Sequence, residues 1–101
     1  MLMDQKCYLV YILRCSDESY YTGITNNIER RFAEHQSGKS RSCYTFKRRP
    51  VTLLFVQSFL DVKEAIAFEK QVKGWSRAKK EALIAQDFDR LVKLSKNRRQ
   101  S

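Results

Sequence analysis

Five side chains in this 101-residue chain have the chemistry that cleavage of a phosphodiester requires. They are Tyr11, Tyr21, Arg31, His35 and Glu69. A phenol or imidazole can take a proton from an attacking water, an arginine can hold the phosphate, and a carboxylate can bind a cation that stabilises the leaving oxygen. Because an unperturbed phenol has a pKa of about 10, a neighbouring arginine or metal-bound water would have to lower that pKa.

Each of these side chains also has an ordinary structural explanation. Tyrosines pack readily on the faces of sheets, so Tyr11 and Tyr21 by themselves indicate little. Glu69 falls on the apolar side of a predicted helix, where an ionised group without a partner is costly. Glu69 must therefore be salt-bridged, hydrogen-bonded or bound to a cation, and the sequence leaves open whether it pairs with Arg31 or another arginine or binds a metal.

The two tyrosines belong to two predicted strands. The first runs over residues 7–13 and is apolar on both alternating faces, and the second runs over 20–25 and is rich in aromatic and β-branched residues. Residues 16–19 break the pattern between them, which predicts an antiparallel hairpin. Tyr11 and Tyr21 share a face only if paired positions sum to an even number, which requires an odd-length loop or a bulge near residues 15–19.

A predicted helix follows the hairpin and carries Arg31 and His35. Asn26 or Asn27 caps its start, it runs to about Gln36, and Gly38 ends it.

The faces of that helix follow from its 100° spacing. Ile28 and Phe32 mark the buried stripe, His35 lies close to the stripe and Arg31 lies at its edge. Arg30 and Glu34 point to the opposite side, where they can form an i,i+4 ion pair.

The remaining chain is predicted to contain one strand and three helices. The strand, over residues 51–56, is interpreted as well buried, and a helix with a capping-box-like start at Asp61 runs to about Gly74. In that helix Ala65, Phe68 and Val72 define the inward arc that includes Glu69. Further helices are predicted over 76–85 and from residue 87, followed by a frayed basic tail over 96–101.

Charge points to an anionic partner. Twenty Lys and Arg against eleven Asp and Glu give a net charge of +9, which favours nucleic acid over a merely solvated basic surface or an anionic membrane. Residues 39–49 form a basic segment without acidic residues. The candidate nucleic-acid contacts are Lys39, Arg41, Tyr44, Lys47, Arg48, Arg49, Lys73, Arg77 and Lys80.

Length and composition exclude several classes of protein. A chain of 101 residues supports a single domain, predicted over 1–101 with a core over about 7–85 and a C-terminal helix and tail over about 87–101. The absence of a long apolar run or secretory signal predicts a cytoplasmic location without membrane insertion. The three cysteines, Cys7, Cys15 and Cys43, lack the close paired spacing of a zinc site, and a single histidine makes a His/Cys metal cluster or a Ser-His-Asp triad hard to assemble. No small-molecule cofactor is expected.

Together these residues resemble the GIY-YIG nuclease superfamily, in particular its small stand-alone bacterial members of the YhbQ type. The resemblance covers roughly residues 7 to 85. The strings that carry it are Leu9-Val10-Tyr11, Tyr21-Thr22-Gly23, Thr25-Asn26, Arg31, His35, Tyr44-Thr45, Arg48-Arg49-Pro50-Val51 and residues 69–80.

The resemblance implies an α/β fold, with a three-stranded antiparallel sheet flanked by helices, and a metal-dependent DNA endonuclease. Tyr11 and Tyr21 would be the active-site phenols, Arg31 would hold the phosphate, and His35 would assist proton transfer or positioning. Glu69 would bind the single divalent cation, Mg²⁺ or Mn²⁺. The implied cleavage responds to DNA structure or damage, as in DNA repair, with low sequence specificity.

Three positions depart from the pattern of the superfamily. Leu9 replaces the first glycine, Ile24 stands where several members carry a polar residue, and no asparagine follows Glu69 at the spacing of some members. These replacements leave fewer polar groups at the site. Two alternatives to an enzyme remain open: a non-catalytic module that binds DNA or RNA through the same basic surface, and a domain that binds an acidic protein.

Overall fold

The computed structural model describes residues 7–39 and 44–99, and for 97–99 the backbone only. The elements in chain order are β1 (Tyr8–Arg14), β2 (Tyr20–Thr25), α1 (Ile28–Ser37), a 3-10 turn (Phe46–Arg48), β3 (Thr52–Phe59), α2 (Val62–Lys73), α3 (Arg77–Ile84) and α4 (Phe88–Arg99). The three strands form one antiparallel sheet in the order β2-β1-β3. The predicted α/β fold is confirmed.

The register of the β1–β2 hairpin places both tyrosines on one face of the sheet. Tyr11 pairs with Gly23 and Leu13 pairs with Tyr21, so paired positions sum to an even number as predicted. The connecting loop, residues 15–19, has an odd length, which also confirms the prediction. Glu18 adopts a positive φ of 73° in this loop, and Asp17 Oδ1 accepts a hydrogen bond from Ser19 N at 3.1 Å.

The two faces of the sheet are covered by different helices. On one face, a cluster joins strand residues to α1, and its members are Tyr11, Leu13, Cys15, Val51, Tyr21, Ile28 and Phe32. On the other face, Phe55 and Phe59 pair with Ile12 and Tyr8. Their rings lie 6.5 and 5.3 Å from that of Phe68, so α2 packs against this second face.

Helix α1 begins and ends as its sequence predicts. Asn27 is the N-cap, and its side-chain oxygen accepts from Arg30 N at 3.0 Å. Gly38 ends the helix at a φ of 73°, and its N–H donates to Glu34 O at 3.1 Å. The backbone angle favours glycine here, and a Cβ at Gly38 would also lie 2.6 Å from Arg49 Cζ, so the flexible end of that arginine would have to shift.

The prediction of a well-buried third strand is wrong. β3 extends to Phe59 and lies at the edge of the sheet, and all of its residues are exposed or half-buried. Leu53 and Val56 are 37% and 39% exposed. An apolar run does not reveal that a strand lies at the edge of a sheet, where its side chains have fewer neighbours to cover them.

The other predicted helices are observed within a few residues of their predicted ends. Asp61 Oδ1 accepts from Lys63 N at 2.9 Å at the start of α2, and Ser76 caps α3. The predicted frayed tail is wrong for residues 96–99, because α4 continues through Arg99.

The chain divides into two compact units, one ending at Lys70 and the other beginning at Gln71, with α3 and α4 in contact within the second. The single-domain boundaries stay a prediction.

Among the described residues, no helix combines the length and apolar character needed to cross a membrane. Cys7 is exposed and Cys15 is buried, and Cys43 lies outside the described residues.

Candidate active site

A buried chain of hydrogen bonds joins three elements of the first unit. The Tyr11 hydroxyl on β1 lies 2.9 Å from His35 Nε2 on α1, and His35 Nδ1 lies 2.7 Å from Thr45 Oγ1. All three residues are nearly inaccessible, at 1%, 3% and 1% exposure. Both ring nitrogens therefore have a partner, and the imidazole is fixed in orientation. Thr45 was not predicted as a site residue, because it stands ten residues from His35 in the sequence.

Gly23 makes room for the Tyr11 ring. The two residues are cross-strand partners, and a Cβ built at Gly23 would lie 2.6 Å from Tyr11 Cζ. The close approach, not a special backbone angle, requires glycine here. The third residue of the Tyr21-Thr22-Gly23 string thus has a direct role in seating the phenol of the other strand.

Arg31 faces the two phenols from the edge of α1. Its side chain is 27% exposed, against 63% for Arg30, which confirms the predicted contrast between these neighbours. Burial lowers the pKa of Arg31, but hydrogen bonds with Tyr11 and Glu34 outweigh that effect, and Tyr21 contributes in the same direction. The net pKa is raised, so the guanidinium stays charged at every accessible pH.

Glu34 differs from its predicted place on the solvent side. Its carboxylate lies 3.1 Å from Arg31 Nη1 and 3.9 Å from Arg30 Nε, and its side chain is only 25% exposed. The predicted pair with Arg30 is therefore the longer of two contacts. Hydrogen bonding from Arg31 lowers the pKa of Glu34, which keeps it ionised beside the guanidinium.

His35 is neutral at physiological pH. Burial, with repulsion from Arg31, lowers its pKa from 6.5 to about 4, and the opposing attraction of Glu34 is weaker. A neutral imidazole carries one N–H and one acceptor nitrogen. In one tautomer it accepts from the Tyr11 hydroxyl while donating to Thr45, and in the other both directions reverse.

Tyr21 connects the buried chain to the surface through aromatic contacts. Its ring centroid lies 5.1 Å from that of His35 and 6.2 Å from that of Tyr11. On its outer side the ring stacks on Tyr44 at 6.0 Å with an interplanar angle of 25°. Tyr44 is 43% exposed and is therefore the accessible member of this group.

The basic segment after α1 does not present all of its cations to solvent. Lys39 and Lys47 are exposed, whereas Arg48 is paired with Asp17 at 3.0 Å. Arg49 donates to Phe46 O at 2.8 Å and Gln36 O at 3.4 Å, so it bonds backbone carbonyls of the 3-10 turn and of α1. Arg41 lies outside the described residues. The nucleic-acid role of all these residues stays a prediction.

Glu69 lies on α2, next to Phe68, whose ring packs against Phe55 and Phe59 of β3. It is 9% exposed and shares the inward side with Ala65 and Val72, as its helical position predicts. Within residues 7–39 and 44–99, no three His, Cys, Asp or Glu side chains are grouped so that together they could hold a metal ion. One carboxylate with waters suits Mg²⁺, which keeps much of its hydration shell, so Glu69 fits such a cation. Its metal role stays a prediction.

Residues 7–82 match the GIY-YIG catalytic domain family. This chain belongs to the GIY-YIG family. The UPF0213 protein of Syntrophus aciditrophicus is 46% identical over 82 residues, which cover 81% of this chain and 94% of that protein. A UPF0213 protein of Halobacterium salinarum is 49% identical over 75 residues, covering 74% and 96%.

Two solution NMR structures have a similar fold. The protein EF2693 from E. faecalis superposes with a TM-score of 0.59 at 34% identity, covering 82% of this chain and 88% of that one. The UPF0213 protein BH0048 from Bacillus halodurans gives 0.53 at 42% identity, covering 79% and 84%. The GIY-YIG superfamily consists of endonucleases, and the names of these relatives state no activity.

The second unit of this GIY-YIG protein contains the other predicted nucleic-acid contacts. Lys73 and Arg77 are exposed, and Arg77 pairs with Glu81 at 3.1 Å. Burial and repulsion from Arg77 lower the pKa of Lys80. Lys79, which was not predicted, is 6% exposed, and its Nζ lies 4.6 Å from the centre of the Trp75 ring, within the range of a cation–π interaction.

Proposed function

We propose that this protein is a metal-dependent endonuclease that hydrolyses DNA phosphodiesters with low sequence specificity, selecting its substrate by DNA structure or damage. The observation that supports this best is the buried Tyr11–His35–Thr45 chain, with the Arg31 guanidinium against both phenols. A charged arginine beside two phenols and a neutral imidazole is a costly arrangement that packing alone does not require.

The two tyrosines have different roles in this proposal. Tyr11 is 1% exposed and its hydroxyl is held by His35, so it is too enclosed to meet an attacking water. Tyr21 is half-buried and lies at the opening of the cluster, so its phenol is the one that takes or relays the proton of the water. Tyr11 then holds Arg31 and His35 in place.

Arg31 stabilises the negative charge that develops during the reaction. Its guanidinium interacts with both phenols and stays charged, so it can also hold an oxygen of the scissile phosphate. Neutral His35, with one acceptor nitrogen and one N–H, can move a proton between Tyr11 and Thr45 without placing a second cation beside Arg31. Glu69 is the residue that would hold Mg²⁺ or Mn²⁺, which supplies charge stabilisation at the leaving oxygen when bound.

The positive charge of the protein provides affinity for DNA without recognition of its base sequence. The net charge of +9 attracts the phosphate backbone, and contacts to phosphates position a duplex but carry no base information. This is why we propose recognition of DNA structure and not of sequence.

The proposal is tested by incubating the full chain with single-stranded, duplex, nicked and branched DNA and with RNA, each with Mg²⁺, Mn²⁺ or EDTA. We expect cleavage of at least one DNA substrate with a metal and none in EDTA. Tight binding to all substrates without cleavage under any condition would contradict an enzyme and support the non-catalytic nucleic-acid-binding module.

A further inference from the structure

The hairpin loop between β1 and β2 is tied to the segment that follows α1. Ser16 N donates to Arg48 O at 2.8 Å, and Arg48 Nε donates to Asp17 Oδ2 at 3.0 Å. Asp17 is itself oriented by Ser19, whose hydroxyl donates to Asp17 Oδ1 at 2.6 Å. These bonds link two segments 31 residues apart by backbone and side chain.

The Arg48 guanidinium is held at several points. Besides Asp17, it donates through Nη1 to Tyr44 O at 2.8 Å. Its Cζ lies 3.9 Å from the centre of the Tyr44 ring, so the guanidinium plane covers that ring. Two of its nitrogens are therefore already bonded within the protein.

Tyr44 transmits this restraint to the site. Its ring stacks on Tyr21, the phenol at the opening of the cluster, at 6.0 Å. The next residue, Thr45, bonds His35. A path of direct contacts thus runs from Asp17 through Arg48 and Tyr44 to Tyr21.

We propose that Arg48 and Tyr44 are positioning residues that hold the Tyr21 phenol, with Asp17 fixing Arg48, so that Arg48 does not serve as a phosphate contact. This inference rests on the proposed role of Tyr21. A carboxylate 3.0 Å from Arg48 Nε would repel a phosphate at that place. Planar stacking on a ring, together with hydrogen bonds from two nitrogens to two different acceptors, suits a positioning arginine. Hydrogen bonds from Ser19, with a smaller effect of Arg48, lower the pKa of Asp17, so the carboxylate is ionised at neutral pH.

Asp17→Asn is the first test, because it changes only an exposed loop side chain. We expect kcat to fall about 10- to 100-fold, the range for a slightly misplaced catalytic group. The Kd for uncleaved DNA, measured in EDTA, should not rise. Asp89→Asn, the same change in the first turn of α4, should keep the wild-type kcat. If Arg48 were a phosphate contact, Asp17→Asn would release it, and tighter DNA binding with an unchanged kcat would overturn the proposal.

Two conservative pairs separate shape from charge. Arg48→Lys keeps the charge but loses the planar stack and the Nε–H, so it should lower kcat as much as Arg48→Ala does. Tyr44→Phe should restore the kcat lost in Tyr44→Ala, because stacking does not need the hydroxyl. Wild-type kcat in Arg48→Lys, or equal losses in the two Tyr44 variants, would contradict the positioning role.

A readout without turnover keeps this inference separate from the proposed nuclease function. His35 is the only histidine of the chain, and the Tyr21 ring lies 5.1 Å from it, so ring currents of Tyr21 shift its NMR signals. Asp17→Asn and Tyr44→Ala should move the His35 signals, and Asp89→Asn should not. If the wild type cleaves no substrate, the nuclease proposal fails while these shifts still decide the positioning. Unchanged His35 signals in both Asp17→Asn and Tyr44→Ala would overturn the proposed positioning role.

Discussion

The two faces of the sheet bury polar groups in opposite ways. On the face covered by α1, the buried polar side chains of Tyr11, His35 and Thr45 form a paired chain. On the face covered by α2, packing is aromatic, and the hydroxyl of Thr22 is buried without a hydrogen-bond partner in the described part of the protein. Burial of polar groups is costly unless they are paired, so the first face is the one where the fold maintains a polar site at that cost.

The largest effect is expected at Glu69, because this residue on α2 is proposed to bind the catalytic metal ion. Glu69→Gln should abolish metal-dependent cleavage, while the protein stays folded and binds DNA at least as well, since a negative charge has been removed. Calorimetry of Mn²⁺ binding in the presence of an uncleavable DNA, with melting curves of both proteins, measures this. Equal Mn²⁺ affinity together with a clear thermal loss in the variant would show a structural ion pair.

Arg31 and Arg30 form a matched pair on one helix. Arg31→Ala should lower kcat by about 10²- to 10³-fold, as expected for loss of a preorganised charge-stabilising donor. Arg30→Ala should keep nearly wild-type activity, because its side chain is 63% exposed and its nearest carboxylate is 3.9 Å away. Single-turnover cleavage rates of both variants decide the matter, and equal losses would mean that the assignment of Arg31 is wrong.

The lowered pKa of His35 predicts how the free energy of unfolding depends on pH. Its pKa is about 4 in the folded protein against about 6.5 when unfolded, so the unfolded chain binds more protons between these values. The free energy of unfolding should therefore fall, by up to about 3 kcal/mol, as the pH drops from about 6.5 to 4. Chemical denaturation across this range measures the loss. His35→Gln should lack this component, and a wild-type slope in the variant would assign the effect to other groups.

The smallest expected effects are changes in the free energy of unfolding when Thr45 or Thr22 is replaced by valine. The two variants allow a direct comparison of the two faces of the sheet. Thr45→Val should destabilise by about 1–3 kcal/mol, because it leaves a buried nitrogen of His35 unpaired. Thr22→Val should be neutral or stabilising, because its Oγ1 has no partner among the described residues to lose. Urea denaturation of the two variants provides the comparison. A larger loss for Thr22→Val than for Thr45→Val would contradict the difference between the faces.

Features determined by neighbours in the sequence could be predicted. The caps at Asn27 and Gly38, the odd loop of the hairpin and the inward position of Glu69 all follow from local spacing, and the structure agrees. The exposure of Arg30 relative to Arg31 also follows from helix geometry alone.

Features that depend on contacts between distant parts of the chain could not be predicted from the sequence. Thr45 meets His35 only after the segment beyond α1 folds back, and no local pattern signals that contact. The edge position of β3 depends on strand order, which an apolar run does not encode. The contact of Arg48 with Asp17 could not be predicted either, because the two residues lie 31 positions apart in the sequence.

The central claim is that the Tyr21 phenol, presented by the α1-covered face, performs the cleavage. Single-turnover cleavage of the best DNA substrate by wild type, Tyr21→Phe and Tyr20→Phe tests this most directly, because alternation in β2 puts Tyr20 on the other face. We expect Tyr21→Phe to lose cleavage while its circular dichroism and DNA affinity stay at wild-type values, and Tyr20→Phe to remain active. Wild-type cleavage by folded Tyr21→Phe would contradict the claim.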